Sequence, residues 1–291
     1  MDRRAFLRTG ASLAGTLSVA GCATSMPSST APARAWQARL SGANLILLGE
    51  LHDHHALHAA RLAILRAALD GGWRPTVLME QFDTDRQEDI ERARAERPAD
   101  PDHLIAGAGS PQGWEWPLYR PVVELALRHR LPLYAANLAR REAGQLVRAP
   151  FDRVFAPPQR ATLRLERVID NDWRLAQEKE MDEGHCGALP PNLLPGMARA
   201  QFARDALMAA LLRNHGTNGA VLLAGNGHVR RDLGVARWLD DQPVGRVWAV
   251  GFVEPNAAAD AAPRFDALVT AVRLPGETGG KGDPCAALRT R

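Results

Sequence analysis

Glu50, His52, Glu80 and His228 have the types and the setting for acid–base or metal chemistry in this 291-residue sequence. Each follows closely on an apolar run. Gly49-Glu50-Leu51-His52-Asp53 ends one such run, Glu80-Gln81 a second, Asn137 a third and Gly225-Asn226-Gly227-His228 a fourth. In open parallel sheets ligands bind in the crevice beyond the carboxyl ends of the strands, so Glu50, His52, Glu80, Asn137 and His228 are expected around one cleft. Two carboxylates and two imidazoles suit a divalent metal such as Zn²⁺, Mn²⁺ or Fe²⁺, and equally a metal-free set of general acid and base. Two of the turns share the form G-x-x-H. Glycine at 49, 225 and 227 is read as giving positive φ or close backbone approach, so that the next polar side chain enters the cleft.

Other polar residues near these turns carry weaker signals. His54, His55 and His58 lie at the start of a helical pattern, where they are expected to face solvent or stand behind the site, and Asp53 is a candidate N-cap. Trp114-Glu115-Trp116-Pro117-Leu118-Tyr119 brings aromatics and a phenol together. There the tryptophans either plug the sheet edge, with Tyr119 donating one hydrogen bond, or Tyr119 acts as a ligand, since a tyrosinate can bind haem iron; Tyr134 is the only other tyrosine. Gln201, Arg204 and Asp205 stand at helical spacing before the apolar residues Leu207, Met208, Leu211 and Leu212, either on the cleft rim or on a solvated face.

The elements that must position these residues are short. Asn44–Leu48, Val77–Met79, Leu133–Ala136, Ala220–Ala224 and Val247–Phe252 are continuous apolar runs, as parallel strands covered on both faces tend to be. Helical spacing over His55–Leu69, Val122–His129 and Leu233–Leu239 alternates with them, which predicts an α/β fold: a parallel sheet flanked by helices. Residues 140–215 carry helical patterns (Ala161–Ala176, Met197–Asn214) broken by Pro190-Pro191 and Pro195, and are expected to form a small helical subdomain inserted between 36–139 and 216–274.

Residues 1–21 read as an export signal of twin-arginine and lipoprotein type. Arg3-Arg4 precede a short apolar stretch, and Val19-Ala20-Gly21-Cys22 fits a lipobox with Cys22 as the acylated residue. Residues 22–35, with Pro27, Pro32 and a Ser/Thr/Ala bias, read as a disordered tether, and 275–291 as a Gly-rich tail. The expected location is therefore the cell envelope, facing the periplasm from a lipid anchor. The formal charge of +3 is almost all arginine, interleaved with acids along the chain, which argues against a nucleic-acid partner. An oxidising periplasm would permit a disulfide between Cys186 and Cys285.

The segments Leu47–Asp53, Val77–Phe82, Trp116–Pro121, Gln201–Ala209 and Ala224–Val235 together resemble the ChaN family of lipoproteins, a branch of the haem-uptake and Tiki superfamily related to erythromycin-esterase-like proteins. The resemblance runs from about Trp36 to Val253. It implies a parallel α/β domain with a small helical domain and a role in haem binding or iron acquisition, with haem held in the cleft or at the face of a homodimer. Tyr119, and after it Tyr134, are then the candidate haem ligands. Tiki-like relatives are metal-dependent peptidases, whose two G-x-x-H motifs and acidic residue would map onto His52, Glu80 and His228; a metal-dependent hydrolase is thus the alternative activity. The family's paired histidines one turn into the first helix read here as Leu57-His58.

Overall fold

The structure is a computed structural model that describes residues 44–110, 113–243 and 246–274. The expected signal peptide, the acylated Cys22, the tether over 22–35 and the tail over 275–291, with Cys285, lie outside the described residues. Cys186 is disulfide-bonded. No described helix is long and apolar enough to cross a membrane.

In chain order the first half is β1 (Leu45–Leu48), α1 (His55–Asp70), β2 (Thr76–Asp83), α2 (Gln87–Glu96), α3 (Pro101–Ala108), α4 (Trp116–Arg128) and β3 (Leu133–Asn137). Five helices follow: α5 (Arg140–Arg148), α6 (Phe151–Val154), α7 (Pro157–Leu163), α8 (Asn171–Gly184) and α9 (Leu194–His215). The chain then returns to the sheet through β4 (Ala220–Leu223), α10 (Asn226–Val229), α11 (Val235–Trp238), β5 (Val247–Val253), α12 (Ala258–Ala261) and β6 (Ala267–Thr270).

All six strands are parallel, in the order β3-β2-β4-β1-β5-β6. Central strands such as β1 and β4 are apolar at every position because both faces of the sheet are covered. Alternate side chains divide between two cores: Ile46 and Leu48 join α1–α4 on one face, and Leu45 and Leu47 join α5, α7–α9 and α11 on the other. From β1 to β3 the chain moves toward one edge over the first face. From β3 to β5 it moves back over the second, as right-handed crossovers require. The reversal separates the loops leaving β1 and β2 from the loop leaving β4, and a crevice opens between their carboxyl ends.

The α/β class expected from the sequence is the class observed. The differences are local. β2 runs on through Glu80 and Gln81 to Asp83, so both polar residues are part of a strand and do not follow one. α4 begins at Trp116 and tolerates Pro121 in its interior. The pattern over Ala161–Ala176 divides into α7 and α8, because Arg164 takes a left-handed conformation (φ 55°) after α7 and Asp170 caps α8 by accepting from the Trp173 amide at 2.8 Å. β6, too short to carry a pattern, was not expected. The helices within 140–215 cover the second face of the sheet.

Candidate functional site

The site is built at the reversal point, and two glycines let its turns close up. A Cβ on Gly49 would overlap the Asn226 side-chain oxygen and sit 3.1 Å from the Val250 carbonyl. Asn226 is held there because its amide donates to the Phe252 carbonyl at 2.7 Å and its Oδ1 accepts the Phe252 N–H at 3.0 Å, tying the turn after β4 to β5. A Cβ on Gly225 would press on the His52 ring at 3.2 Å. The expectation of positive φ at these glycines is corrected: among the described residues none of Gly49, Gly225 and Gly227 has it, and a side chain on Gly227 would meet nothing. Close approach is what glycine serves at 49 and 225.

Glu50 is the hub of the first half of the site. Its buried carboxylate accepts from His52 Nδ1 at 2.6 Å, from the Tyr119 hydroxyl at 2.7 Å and from Gln81 Nε2 at 3.2 Å on Oε1, while Oε2 pairs with the equally buried Arg61. Burial works against its charge, but Arg61 and the His52 bond outweigh this and hold the carboxyl well below the usual carboxylate range. Arg61 also donates to His58 Nδ1 at 3.1 Å, so His58 must carry its proton on Nε2, which donates to the His52 carbonyl at 3.2 Å. Burial and the Arg61 charge push His58 down to about 4, leaving it neutral at physiological pH. His52 goes the other way: burial lowers it, yet the Glu50 bond and the Glu80 charge raise it above the ordinary imidazole value.

The second half centres on His228. Its Nδ1 donates to the fully buried Asp205 at 2.6 Å, its Nε2 lies 3.4 Å from Glu80 Oε1, and the Gln201 amide stands beside the ring at 3.0 Å. Glu80 is fixed by the Gly225 N–H, which donates to Oε2 at 2.7 Å. Burial disfavours a charged His228, but two carboxylates overcome this and push it up to about 10. Burial pushes Asp205 up to about 6, while Glu80, facing His228, is held below its ordinary value. The positive imidazolium between two carboxylates is the state these shifts favour at neutral pH.

Glu50, His52, Glu80 and His228 therefore come together as expected, in two carboxylate–imidazole pairs with Glu80 between them. His52 is the accessible member: its side chain is 53% exposed, it stands edge-on to Trp114 at 4.9 Å, and with Nδ1 committed to Glu50 its Nε2 is left for a ligand. Asn137, at the end of the edge strand β3, makes no bond to these four and donates instead to Asp83 at 2.9 Å. The shared divalent metal is not supported. Among the described residues no group of three or more His, Cys, Asp or Glu is set to hold one, and both oxygens of Glu50 are already taken by protein donors.

Of the two readings of Tyr119, the structure shows the hydrogen-bond donor. It is wholly buried, packed edge-on to His58 at 4.9 Å, and its hydroxyl donates to Glu50. Burial and the Glu50 charge push the phenol far above its ordinary value, the opposite of what a tyrosinate ligand requires. Tyr134 lies away from this cluster, stacked on His215 at 3.9 Å. His54, not Asp53, caps α1, accepting from the Leu57 amide at 3.3 Å; Asp53 pairs with Arg273 at 3.0 Å, and His55 faces Glu115 at 3.5 Å. Gln201 and Asp205 take the cleft side of α9. Arg61 was not anticipated, and Gln81, noted only as the neighbour of Glu80, was given no role. Arg61 does leave a trace: it falls in the buried stripe Leu57, His58, Ile64, Leu65 and Ala68 of α1, where a charge must have a partner.

Fold and site together define a doubly wound, all-parallel α/β protein with a buried carboxylate–imidazole cluster at its switch point. The chain belongs to the family described as "Haem-binding uptake, Tiki superfamily, ChaN", whose model matches residues 36–239. Among solved structures it is similar to ChaN of Campylobacter jejuni, in a structure described as cofacial heme binding, with a TM-score of 0.63 and 20% identity over 76% of this chain and 86% of that one. A weaker likeness joins it to the type III effector HopBA1, at a TM-score of 0.41 and 12% identity over 77% of this chain and 83% of that one. No curated protein matches the chain.

Proposed function

We propose that this protein binds haem and serves haem uptake at the cell envelope. The family match over residues 36–239 carries the reading. The lipobox at Val19–Cys22 and the proline-containing stretch that follows support a lipid-anchored protein whose domain faces the periplasm on a tether. Cofacial haem binding, as described for the Campylobacter protein, requires two haems brought face to face, so a homodimer is part of the proposal. Because the Tyr119 hydroxyl is engaged by Glu50, the proposal takes Tyr134 or a histidine as the group that would hold the haem iron. Haemin titrated into the purified protein is expected to give a saturable change in the Soret band; no saturable change overturns the reading.

A second reading, metal-free proton transfer in hydrolysis of a peptide or ester, is favoured by one observation. The exposed His52 and the buried His228 are each oriented by a carboxylate and face the same Glu80. Hydrolysis of chromogenic esters or peptides that disappears in His52→Ala and Asp205→Asn would support it; turnover equal to the buffer rate would remove it.

A further inference from the structure

Cys186 is disulfide-bonded, and it stands at a fixed point of the fold. It closes α8 in a left-handed turn, with φ of 61° at Cys186 and 67° at Gly187. There the Cys186 N–H donates to the Glu183 carbonyl at 3.0 Å and the Gly187 N–H to the Asp182 carbonyl at 2.8 Å. The helices on either side carry this turn out over the crevice. α9 ends at the amino ends of the strands, where the Thr76 hydroxyl donates to the His215 carbonyl at 3.2 Å, and it meets His228 through Gln201 and Asp205. Its first two turns, Leu194 to Gln201, therefore project about 10 Å past the level of His228. α8 lies alongside: Trp173 meets Phe202 edge-on at 5.1 Å, Glu180 pairs with Arg230, and the loop from His185 to Leu193 joins the two helices at the projecting end. Cys186 thus overhangs the His228 wall of the crevice.

The opposite wall holds the end of the described chain. Arg273 donates to Glu254 Oε1 at 2.7 Å, to the Asp53 carbonyl at 3.2 Å and to the Asp53 carboxylate at 3.0 Å, so it is clamped to the turn that carries His52. The sequence contains three cysteines, at 22, 186 and 285. On the lipoprotein reading the sulfur of Cys22 is acylated, which leaves Cys285 as the partner of Cys186. From Arg273 to Cys285 is twelve residues. Such a stretch reaches at most about 40 Å. Of the ten residues between Leu274 and Cys285 four are glycine, and a segment so poor in side chains can cross close above a site without plugging it.

We infer that residues 275–285 form a strap across the mouth of the crevice, locked by a Cys186–Cys285 disulfide, and that the thiol–disulfide state of this bridge governs access to His52. The strap leaves the His52 wall at Arg273 and is held on the His228 wall at Cys186, so His52 Nε2 lies beneath its path. Opening it takes a dithiol reductant. One thiolate attacks a sulfur of the bridge to give a mixed disulfide, and the second thiol then displaces the protein sulfur; the reductant leaves as its own disulfide, with Cys186 and Cys285 as thiols.

The pairing rests on the lipid-anchor proposal, and the experiment separates the two. Peptide mapping of the purified, unreduced protein is expected to show the Cys186 peptide joined to the Cys285 peptide. A bridge to Cys22 overturns both the strap and the acylation of Cys22; a bridge between the Cys186 residues of two copies overturns the strap alone. Access is then read as the rate at which diethyl pyrocarbonate modifies His52, followed by mass spectrometry, with His103 on α3 as the internal control. Reduction with dithiothreitol, and separately Cys285→Ser, are each expected to raise the His52 rate by roughly fivefold or more, since the strap no longer has to open before the reagent enters. The His103 rate is expected to stay the same. Equal His52 rates in the oxidised, reduced and Cys285→Ser proteins overturn the strap, and so does a rise at His52 and His103 alike, which marks a loosened fold.

Discussion

Replacing Arg61 with methionine should be among the most damaging single changes available in α1. The methionine keeps most of the aliphatic volume but removes the cation from a site where both Arg61 and Glu50 are about 1% exposed. Breaking a buried pair from one side costs about 3–5 kcal/mol, because the remaining charge stays buried without compensation. Here the lower end is expected, since Glu50 keeps His52 at 2.6 Å, Tyr119 at 2.7 Å and Gln81 at 3.2 Å. For a domain of this size each kcal/mol shifts the melting temperature by about 2–4 °C, so a loss of roughly 6–12 °C should appear in thermal unfolding followed by circular dichroism. The pH dependence has a definite sign. In the parent the Glu50 carboxyl is held below its ordinary value of 4.5, so its contribution to stability is complete above that pH and is lost as pH falls. Without Arg61 burial dominates, the carboxyl moves up, and folding takes up a proton. The deficit of the variant should therefore be greatest near neutrality and shrink on acidification, and Glu50→Gln/Arg61→Met should recover part of the single-mutant loss. A loss under about 1 kcal/mol at neutral pH, or a deficit that grows toward acid, would refute the argument that this pair is a mutually dependent buried unit.

Three further outcomes test other parts of the cluster. Gly49→Ala should cost about 1–3 kcal/mol in urea denaturation, because its methyl group would overlap Asn226, and much of that loss should disappear when Asn226 is also changed to alanine. The His58 ring should remain uncharged through the neutral range and take its proton only near pH 4 by NMR; titration near 6.5 would contradict the Arg61 contact. Because its folded value is depressed, the His58 contribution to stability is present above 6.5 and fades as pH falls toward 4. Asp205→Asn removes one of the two carboxylates that hold the His228 proton, so its value of about 10 should drop by about one unit or more; no change would show that Glu80 alone sets it. In the parent that raised value stabilises the fold fully below 6.5, and the contribution is lost as pH rises through about 10.

The sheet and the position of the site were legible because they rest on short-range signals. Continuous apolar runs such as Leu45–Leu48 and Ala220–Leu223 have few alternatives to a doubly covered strand, and a polar residue after each can reach only one end of a parallel sheet. What joins those residues was not legible. The Tyr119–Glu50 bond spans 69 positions and the Gly225–Glu80 bond 145, and nothing local in the sequence records either. Tyr119 shows the consequence: as a residue type it fitted either a ligand or the donor of one hydrogen bond, and only the fold, which buries it in the first core with its hydroxyl on Glu50, decides for the donor. Arg61 was readable in principle, since a charge on the buried stripe of an otherwise apolar helix demands a partner. The strand residues Glu80 and Gln81 were placed one element too late because β2 stays buried past its apolar run.

His52 and His58 show how little separates an accessible imidazole from a structural one in this site. They are six residues apart and joined through the His52 carbonyl, and both stand near Glu50. Arg61 touches the ring of one of them. That contact fixes the His58 tautomer and keeps its ring neutral, and so commits both of its nitrogens to protein partners. His52, bonded to the far oxygen of Glu50, keeps Nε2 for an incoming group and favours the charged form. The two functional readings make opposite demands on that nitrogen. As an axial ligand to iron it must be deprotonated, so binding would release a proton and strengthen with pH; as a general acid it must hold the proton and would weaken with pH. The direction in which haemin affinity or turnover changes across the His52 titration therefore distinguishes its use as a ligand from its use as an acid.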